Sequence, residues 1–353
     1  MKARALTFVA MWAAASSLLP AMAAAQPAKA PAGKDGWTLP RTADGRPDFQ
    51  GVWSNNIATP LERPEELAGR AYLTDEEVEA MKRKAAELFD GTGDAAFFDE
   101  VFRAVYASLN TSGSGPYEKS TRDADARTGD YSSVWLSARD WDNRTSLITD
   151  PPDGRIPPMT PEGERRNAAI RAALVRPAIG PEDRGLTERC ITYGLPQLFA
   201  GYQSYYRVVQ TSDTVVVATE MIHDARVISL EARPHLPTSV RQWLGDSRGH
   251  WEGDTLVVDT TNFKPRSFRN SSEKLHLIER FTRVGPDTLN YEVTIDDPDT
   301  WVRPWTLMIP LRRSNDEIFE YACHEGNSGM VGILAGARAQ ERAAADHAKP
   351  AAK

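Results

Sequence analysis

The residues of this chain whose types and spacing could move protons are histidines set among carboxylates and arginines on alternating segments. Over 275–282, Leu275, Leu277, Glu279 and Phe281 fall on one face, and His276, Ile278, Arg280 and Thr282 on the other. Over 288–295, Leu289, Tyr291, Val293 and Ile295 oppose Asn290, Glu292 and Thr294. Over 318–324, Ile318, Glu320, Ala322 and His324 alternate with Phe319, Tyr321 and Cys323. If one face of such a sheet lines a cavity, His276, Arg280, Glu292, Glu320 and His324 converge there. A histidine beside a carboxylate relays protons near neutral pH. In that arrangement His276 or His324 is the base, and Glu320 or Asp224 the orienter or acid. Arg280 or Arg226 then holds an oxyanion or a carboxylate. The same pattern also describes a solvated ladder of charge pairs on the wet face of an antiparallel sheet.

A second dense stretch is 220–226, where Glu220, His223, Asp224 and Arg226 follow an apolar strand. Charge leaving a core strand marks either a pocket rim or a salt-bridged bend. Asp224 is a candidate acid here, and His223 and Arg226 are candidate substrate contacts, with Glu292 a further one. Trp301 and Trp305 flank Arg303 and Pro304 and are candidates for stacking a sugar or flat ligand; filling a barrel core is the other reading. His235 and His250 read as turn residues. A metal set would have to combine His223, His276 and His324 with Glu320 or Glu325. No local spacing motif supports one, so no metal and no cofactor are expected. The aspartates at 123, 125 and 130 and at 296, 297 and 299 lack the calcium-loop pattern and suit turns. Nucleophile-elbow, P-loop, dinucleotide and zinc-helix motifs are absent from the sequence.

Strands must position these residues. From about 200 the apolar pattern has period two: 203–210, 215–221, 225–230, 250–252, 255–260, 275–284, 288–295, 306–311 and 318–323. Short Gly, Asp, Asn and Pro turns separate them, with no helical crossovers. The pattern predicts an α+β protein whose C-terminal part is an antiparallel β-meander, barrel-like in form. Ahead of it, 37–63 reads as an extended arm carrying Trp37, Phe49 and Trp53. Residues 73–110 read as two helices, the first opened by a Thr74/Glu77 capping box. The second has a broad apolar face from Phe97 to Leu109, which docks on the body or binds a partner. A third helix starts after Thr160 with Pro161 in its first position.

The start of the chain sets the compartment. Lys2 and Arg4, an apolar stretch 6–19 and Ala23-Ala24-Ala25 before Gln26 follow the three-part layout of a secretory signal. Cleavage after Ala25 takes the formal charge from −7 to −9, which argues against nucleic acid as a partner. The remaining chain shows no long apolar run, so no membrane span is expected. In an oxidising compartment the two cysteines, Cys190 and Cys323, form a disulfide. On the chain-entropy model so long a loop is worth about 4–5 kcal/mol. The organisation expected is a signal (1–25), a flexible tail (26–36), an arm and helical region (37–199), a β domain (200–337) and a flexible tail (338–353).

Several longer runs carry a resemblance. DPPDGRIPP (150–158), MIHDAR (221–226), WLGDSR (243–248), WEGDTLVVDTTNF (251–263) and YACHEGN (321–327) resemble the signatures of a family of exported bacterial proteins of unassigned activity. The resemblance covers most of 44–337. It implies export, to periplasm or exterior, and assigns no role to any residue. The sequence therefore leaves two main expectations. One is a metal-free hydrolase or lyase acting on a small organic molecule by His/carboxylate chemistry. The other is a periplasmic carrier with a ligand inside its barrel. A weaker third is a structural partner in an envelope complex, using the 97–109 face.

Overall fold

The structure is a computed structural model and describes residues 36–88, 100–110, 139–202 and 204–347. The signal, most of the first tail, Phe97, Phe98, Trp135 and the aspartates at 123, 125 and 130 lie outside the described residues, as do the last residues of the second tail.

The period-two segments form strands because alternate side chains are apolar and have one interior to share. They are β3 (Tyr205–Gln210), β4 (Thr214–Thr219), β5 (Ala225–Ser229), β6 (Asp246–Glu252), β7 (Thr255–Thr261), β8 (His276–Gly285), β9 (Thr288–Asp296) and β10 (Trp305–Ser314). The arm contributes β1 (Gly51–Ser54), which pairs antiparallel with β3 on one side and with the end of β10 on the other. That strand closes a nine-stranded barrel. A tenth strand, β2 (Ile148–Asp150), lies against the beginning of β10. Trp53 of β1 is wholly buried, with its Nε1–H donating to the Phe49 carbonyl at 2.8 Å.

Two expectations need correction. The meander is antiparallel except between β5 and β6, which run parallel and meet at one pair, Ser229 with Arg248. The long loop 230–245 between them permits this, since parallel neighbours need a crossover. The segment 318–323 is not a strand. With β1 and β2 both on β10, no barrel edge is left for it to pair with. Glu320 and His324 consequently stand exposed in the connection beyond β10.

Among the described residues four α-helices lie outside the barrel. α1 (Asp75–Leu88) carries the predicted capping box: the Glu77 N–H donates to Thr74 Oγ1, and the Thr74 N–H to Glu77 Oε2. α2 (Glu100–Asn110) buries Val101, Phe102 and Val105, and a cluster of Leu67, Val78, Met81, Phe102 and Val105 joins it to α1, with Trp141 packed alongside. Of the 97–109 face, Val101, Phe102 and Val105 are therefore covered by this chain, whereas Leu109 at its end is exposed. α3 (Pro161–Val175) is capped by Thr160, which accepts from the Gly163 N–H. α4 (Ser328–His347) occupies most of the stretch read as a tail. Its alanine content is strong helix composition, and Arg338 docks it by donating to the Ala178 and Ile179 carbonyls at 2.7 and 3.0 Å. The expected disulfide, Cys190–Cys323, joins the segment before β3 to the connection after β10. Among the described residues no helix is long and apolar enough to cross a membrane.

Candidate active site at the open seam of the barrel

The barrel interior holds one polar network among apolar side chains. Glu279 of β8 is wholly buried, on the face shared with Leu277 and Phe281. Arg226 of β5 donates to it through both terminal nitrogens, at 2.9 Å from Nη2 to Oε1. Tyr291 Oη donates to Oε1 at 2.7 Å and Thr260 Oγ1 to Oε2 at 3.1 Å. Burial opposes the Arg226 charge, but Glu279 overrides it and holds the guanidinium above its ordinary value. Burial, with the Glu279 charge beside it, pushes the Tyr291 hydroxyl well up, so it stays a neutral donor. A buried ion pair of this kind stands only because the remaining lone pairs are met by hydrogen bonds. One group is left over: the Nε–H of Arg226 is buried without an acceptor.

Arg226 lines a small interior cavity of about 30 Å³ together with Gln197, Tyr206, Thr219, Asp224 and Tyr291. That is room for about two waters, whereas a drug-sized ligand needs about 300–1,000 Å³. The interior is thus filled by side chains, and access matters only where the wall opens. It opens between β5 and β6. Those strands diverge from their single pair, and a cleft of about 610 Å³ lies between Asp224–Val227 on one side and Gln242–Ser247 on the other. Thr192, Arg241 and Lys264 also line it. Asp224 and Arg226, two residues apart and so on one face of the strand, line both the interior cavity and this cleft.

Asp224 is placed by a tight turn and by the segment 190–199. Ile222 and His223 adopt φ of 56° and 45°, a conformation that L-residues occupy at a cost. The Asp224 carboxylate accepts from Thr192 Oγ1 at 2.7 Å, the Tyr193 N–H at 3.1 Å and Gln197 Nε2 at 3.4 Å, all on Oδ2. Oδ1 keeps its capacity for a ligand. Among the described residues no lysine, arginine or histidine nitrogen pairs with this carboxylate, and burial raises it above its ordinary value, against the opposing hydrogen bonds and the nearby His223. Burial, with Tyr321 nearby, also pushes the Tyr193 hydroxyl up to about 12.

The other predicted residues do not gather here. His276, Arg280 and Glu292 are half-exposed on the outer face of the barrel, because their neighbours Leu277, Glu279, Phe281, Tyr291 and Val293 take the interior. Arg280 donates to Glu252 at 2.8 Å, and Glu292 lies opposite it in the register. His276 Nε2 is 3.0 Å from Asp259 Oδ1, which His235 Nε2 also approaches at 3.0 Å. The other His235 nitrogen, Nδ1, lies 2.9 Å from Asp246 Oδ2, so His235 is a bridge between two strands rather than a free turn residue. His223 is exposed, with Nδ1 at 3.2 Å from the Tyr321 carbonyl. Trp301 and Trp305 are core residues, 5.6 Å apart and packed on Phe268, with no face open to a ligand. Of the predicted set, then, only Asp224 and Arg226 are brought together at a cavity. Among the described residues no group of three or more His, Cys, Asp or Glu is placed to hold a metal ion.

Sequence reasoning missed Glu279 as a site residue although a signal was present: it is the one charge on an otherwise apolar face. Thr192, Gln197, Arg241 and Lys264 come from loops and carry no periodic signal. No known protein family, curated protein or solved structure matches this chain.

Proposed function

We propose that this protein is an enzyme that transforms a small organic molecule by acid–base chemistry at the seam, with Asp224 as the proton carrier. One observation carries the reading. A carboxyl group with no cationic partner, raised by burial, lines a ligand-sized cleft and keeps one oxygen free. A carboxylic acid raised toward the working pH donates and accepts protons with little driving force lost in either direction. Arg226 supplies a fixed positive charge on the same face, and its uncommitted Nε–H is a donor for a water or a developing oxyanion. Glu279 and Tyr291 keep that guanidinium charged and in place. Hydrolysis and elimination both require such a proton transfer, which is why the hydrolase or lyase class is retained with a carboxylate, rather than a histidine, as its acid–base group. The carrier reading loses support, because an enclosed ligand requires an interior about ten times larger than the one present.

The test is a turnover screen by NMR over small esters, lactones and hydroxy acids, comparing the protein with Asp224→Asn. Turnover in the parent and a loss of about 10²–10⁴-fold in the variant, with the fold intact, is the expected result. Turnover unchanged in the variant removes Asp224 from the mechanism. A stoichiometric retained small molecule in native mass spectra, with no conversion of any compound, replaces the enzyme by a binding protein.

A further inference from the structure

A second cleft, of about 650 Å³, lies between the segment 185–199 and the loop 266–270. Leu186, Leu198, Phe199 and Phe268 give it apolar walls, and Thr187 and Tyr193 add polar groups. Its volume is that of an ordinary small-molecule site. It adjoins the seam, since Thr192 lines both clefts and donates its hydroxyl to Asp224.

Two arginines, Arg266 and Arg269, line this cleft. Other arginines nearby are committed: Arg241 to Glu273, Arg184 to Glu188, Arg248 to Asp246. Arg266 and Arg269 have no carboxylate partner and no side-chain hydrogen bond among the described residues; Arg269 only lies 6.0 Å over the Phe268 ring. Lys264, at the start of the same loop, also lacks a carboxylate and sits 4.8 Å over Trp243 in the seam.

The loop that presents them is held in a costly conformation. Arg266, Arg269 and Asn270 have φ of 71°, 44° and 60°, values that persist only where surroundings over-determine them. Here they do. The Arg266 N–H donates to the Ser271 carbonyl at 2.9 Å, and the Ser271 N–H to the Phe268 carbonyl at 2.7 Å. From α3, Arg166 Nε donates to the Asn270 carbonyl at 2.9 Å, and Asn167 Oδ1 accepts from Asn270 Nδ2 at 2.9 Å. On the opposite wall Gly194, at φ 83°, lies so close that a Cβ there would stand 1.9 Å from the Ser267 carbonyl oxygen. Both walls are thus fixed where the cleft begins.

We infer that this cleft binds an organic anion with an apolar or aromatic body, its carboxylate or phosphate taken by Arg266 and Arg269 and its body by the Leu186, Leu198, Phe199 and Phe268 walls. Guanidinium forks match either anion, and a net acidic protein holds an anion only where local cations stand unpaired. The inference rests on the proposed activity only in naming that site's substrate class; as binding it stands by itself.

The experiment is calorimetric titration of the folded protein at low salt with 4-phenylbutyrate, phenyl phosphate and the neutral 4-phenylbutyramide. At least one anion is expected to bind about tenfold or more tightly than the amide. Raising the ionic strength should weaken the anion and leave the amide unchanged. Arg266→Gln/Arg269→Gln should lose about tenfold or more in anion affinity. The preferred anion separates carboxylate from phosphate recognition. Amide binding equal to anion binding, anion affinity indifferent to salt, or no anion binding up to about 10 mM overturns the inference. Should the double variant fail to fold, the salt and amide arms decide. Anion binding without turnover upholds the cleft and sinks the proposed activity; turnover without anion binding does the reverse.

Discussion

The wall formed by β7 to β10 and the seam between β5 and β6 are built from similar residues and treat charge in opposite ways. In the wall every strand is paired along its length. Of its inner charges, Glu279 takes hydrogen bonds from Arg226, Tyr291 and Thr260 and Arg283 donates to the Asp48 and Pro286 carbonyls; its outer charges, Arg280 and His276, meet carboxylates in solvent. At the seam the strands share a single pair. Arg241 and Asp246 on its walls are paired, but among the described residues Asp224 is without a cation, Lys264 without a carboxylate, and Arg226 keeps a spare N–H. The proposed chemistry is assigned to the place where β-pairing stops, since a closed ladder leaves few polar groups over for a ligand.

The largest way to break that contrast is to cut the network that spans it. Glu279→Ala leaves Arg226 buried and unpaired, and urea unfolding should show a loss of about 3–5 kcal/mol. Arg226→Met with Glu279→Leu should recover most of it, because two apolar groups replace both charges. Next comes the brace on the segment that walls the seam. Cys190→Ser/Cys323→Ser opens a loop closed over 133 residues, and the loss should be about 2–5 kcal/mol.

Asp224→Asn should act in the opposite direction. Its pKa is raised in the folded state, so the ionised carboxylate costs stability at every pH above that value, and the cost disappears as pH falls through it toward the ordinary aspartate range. The variant should therefore gain about 0.5–2 kcal/mol at neutral pH, and its advantage should close on acidification. Asp246 runs the other way. Burial would raise it, but the Leu236 N–H, His235 and Arg248 together hold it below its ordinary value. Its contribution is present above the unfolded pKa and fades as pH falls through the folded one. Urea midpoints over a pH series for Asp224→Asn and Asp246→Asn should diverge with those signs. The smallest effects belong to the outer ladder: Arg280→Ala and Glu292→Ala should each change stability by less than about 0.5 kcal/mol. A large effect at either would mean that the outer face is a site after all.

Much of the fold was legible from local pattern. Alternation in 275–284 and 288–295, the Thr74/Glu77 box and Pro161 after Thr160 are instructions that a few neighbouring residues complete, and the structure carries all of them. β1 was not legible, because four residues among glycine and proline show no period until β3 and β10 offer them edges. The strand expected at 318–323 failed for the converse reason: its alternation was real, but no edge was free. In the site, Asp224 and Arg226 could be read from charge at a strand's start, whereas Thr192, Gln197, Arg266 and Arg269 could not, since their positions come from loops.

Sequence alone determined most of the strands after 200, the α+β class, the starts of α1 and α3 and the cysteine pair available for bridging, all set by neighbours along the chain or by composition. Only the tertiary structure decided which face of each strand became the interior, and on β8 that chose the solvated ladder of charge pairs for His276 and Arg280 over a cavity lining. The face with Leu275, Leu277, Glu279, Phe281 and Arg283 went inside, because burying the three apolar side chains outweighs the cost of two charges, Glu279 met by Arg226, Tyr291 and Thr260 and Arg283 by the Asp48, Gly285 and Pro286 carbonyls. It also decided where the barrel opens, which follows from β5 and β6 running parallel and meeting at one pair, a fact about two strands distant from each other's turns that no local pattern records.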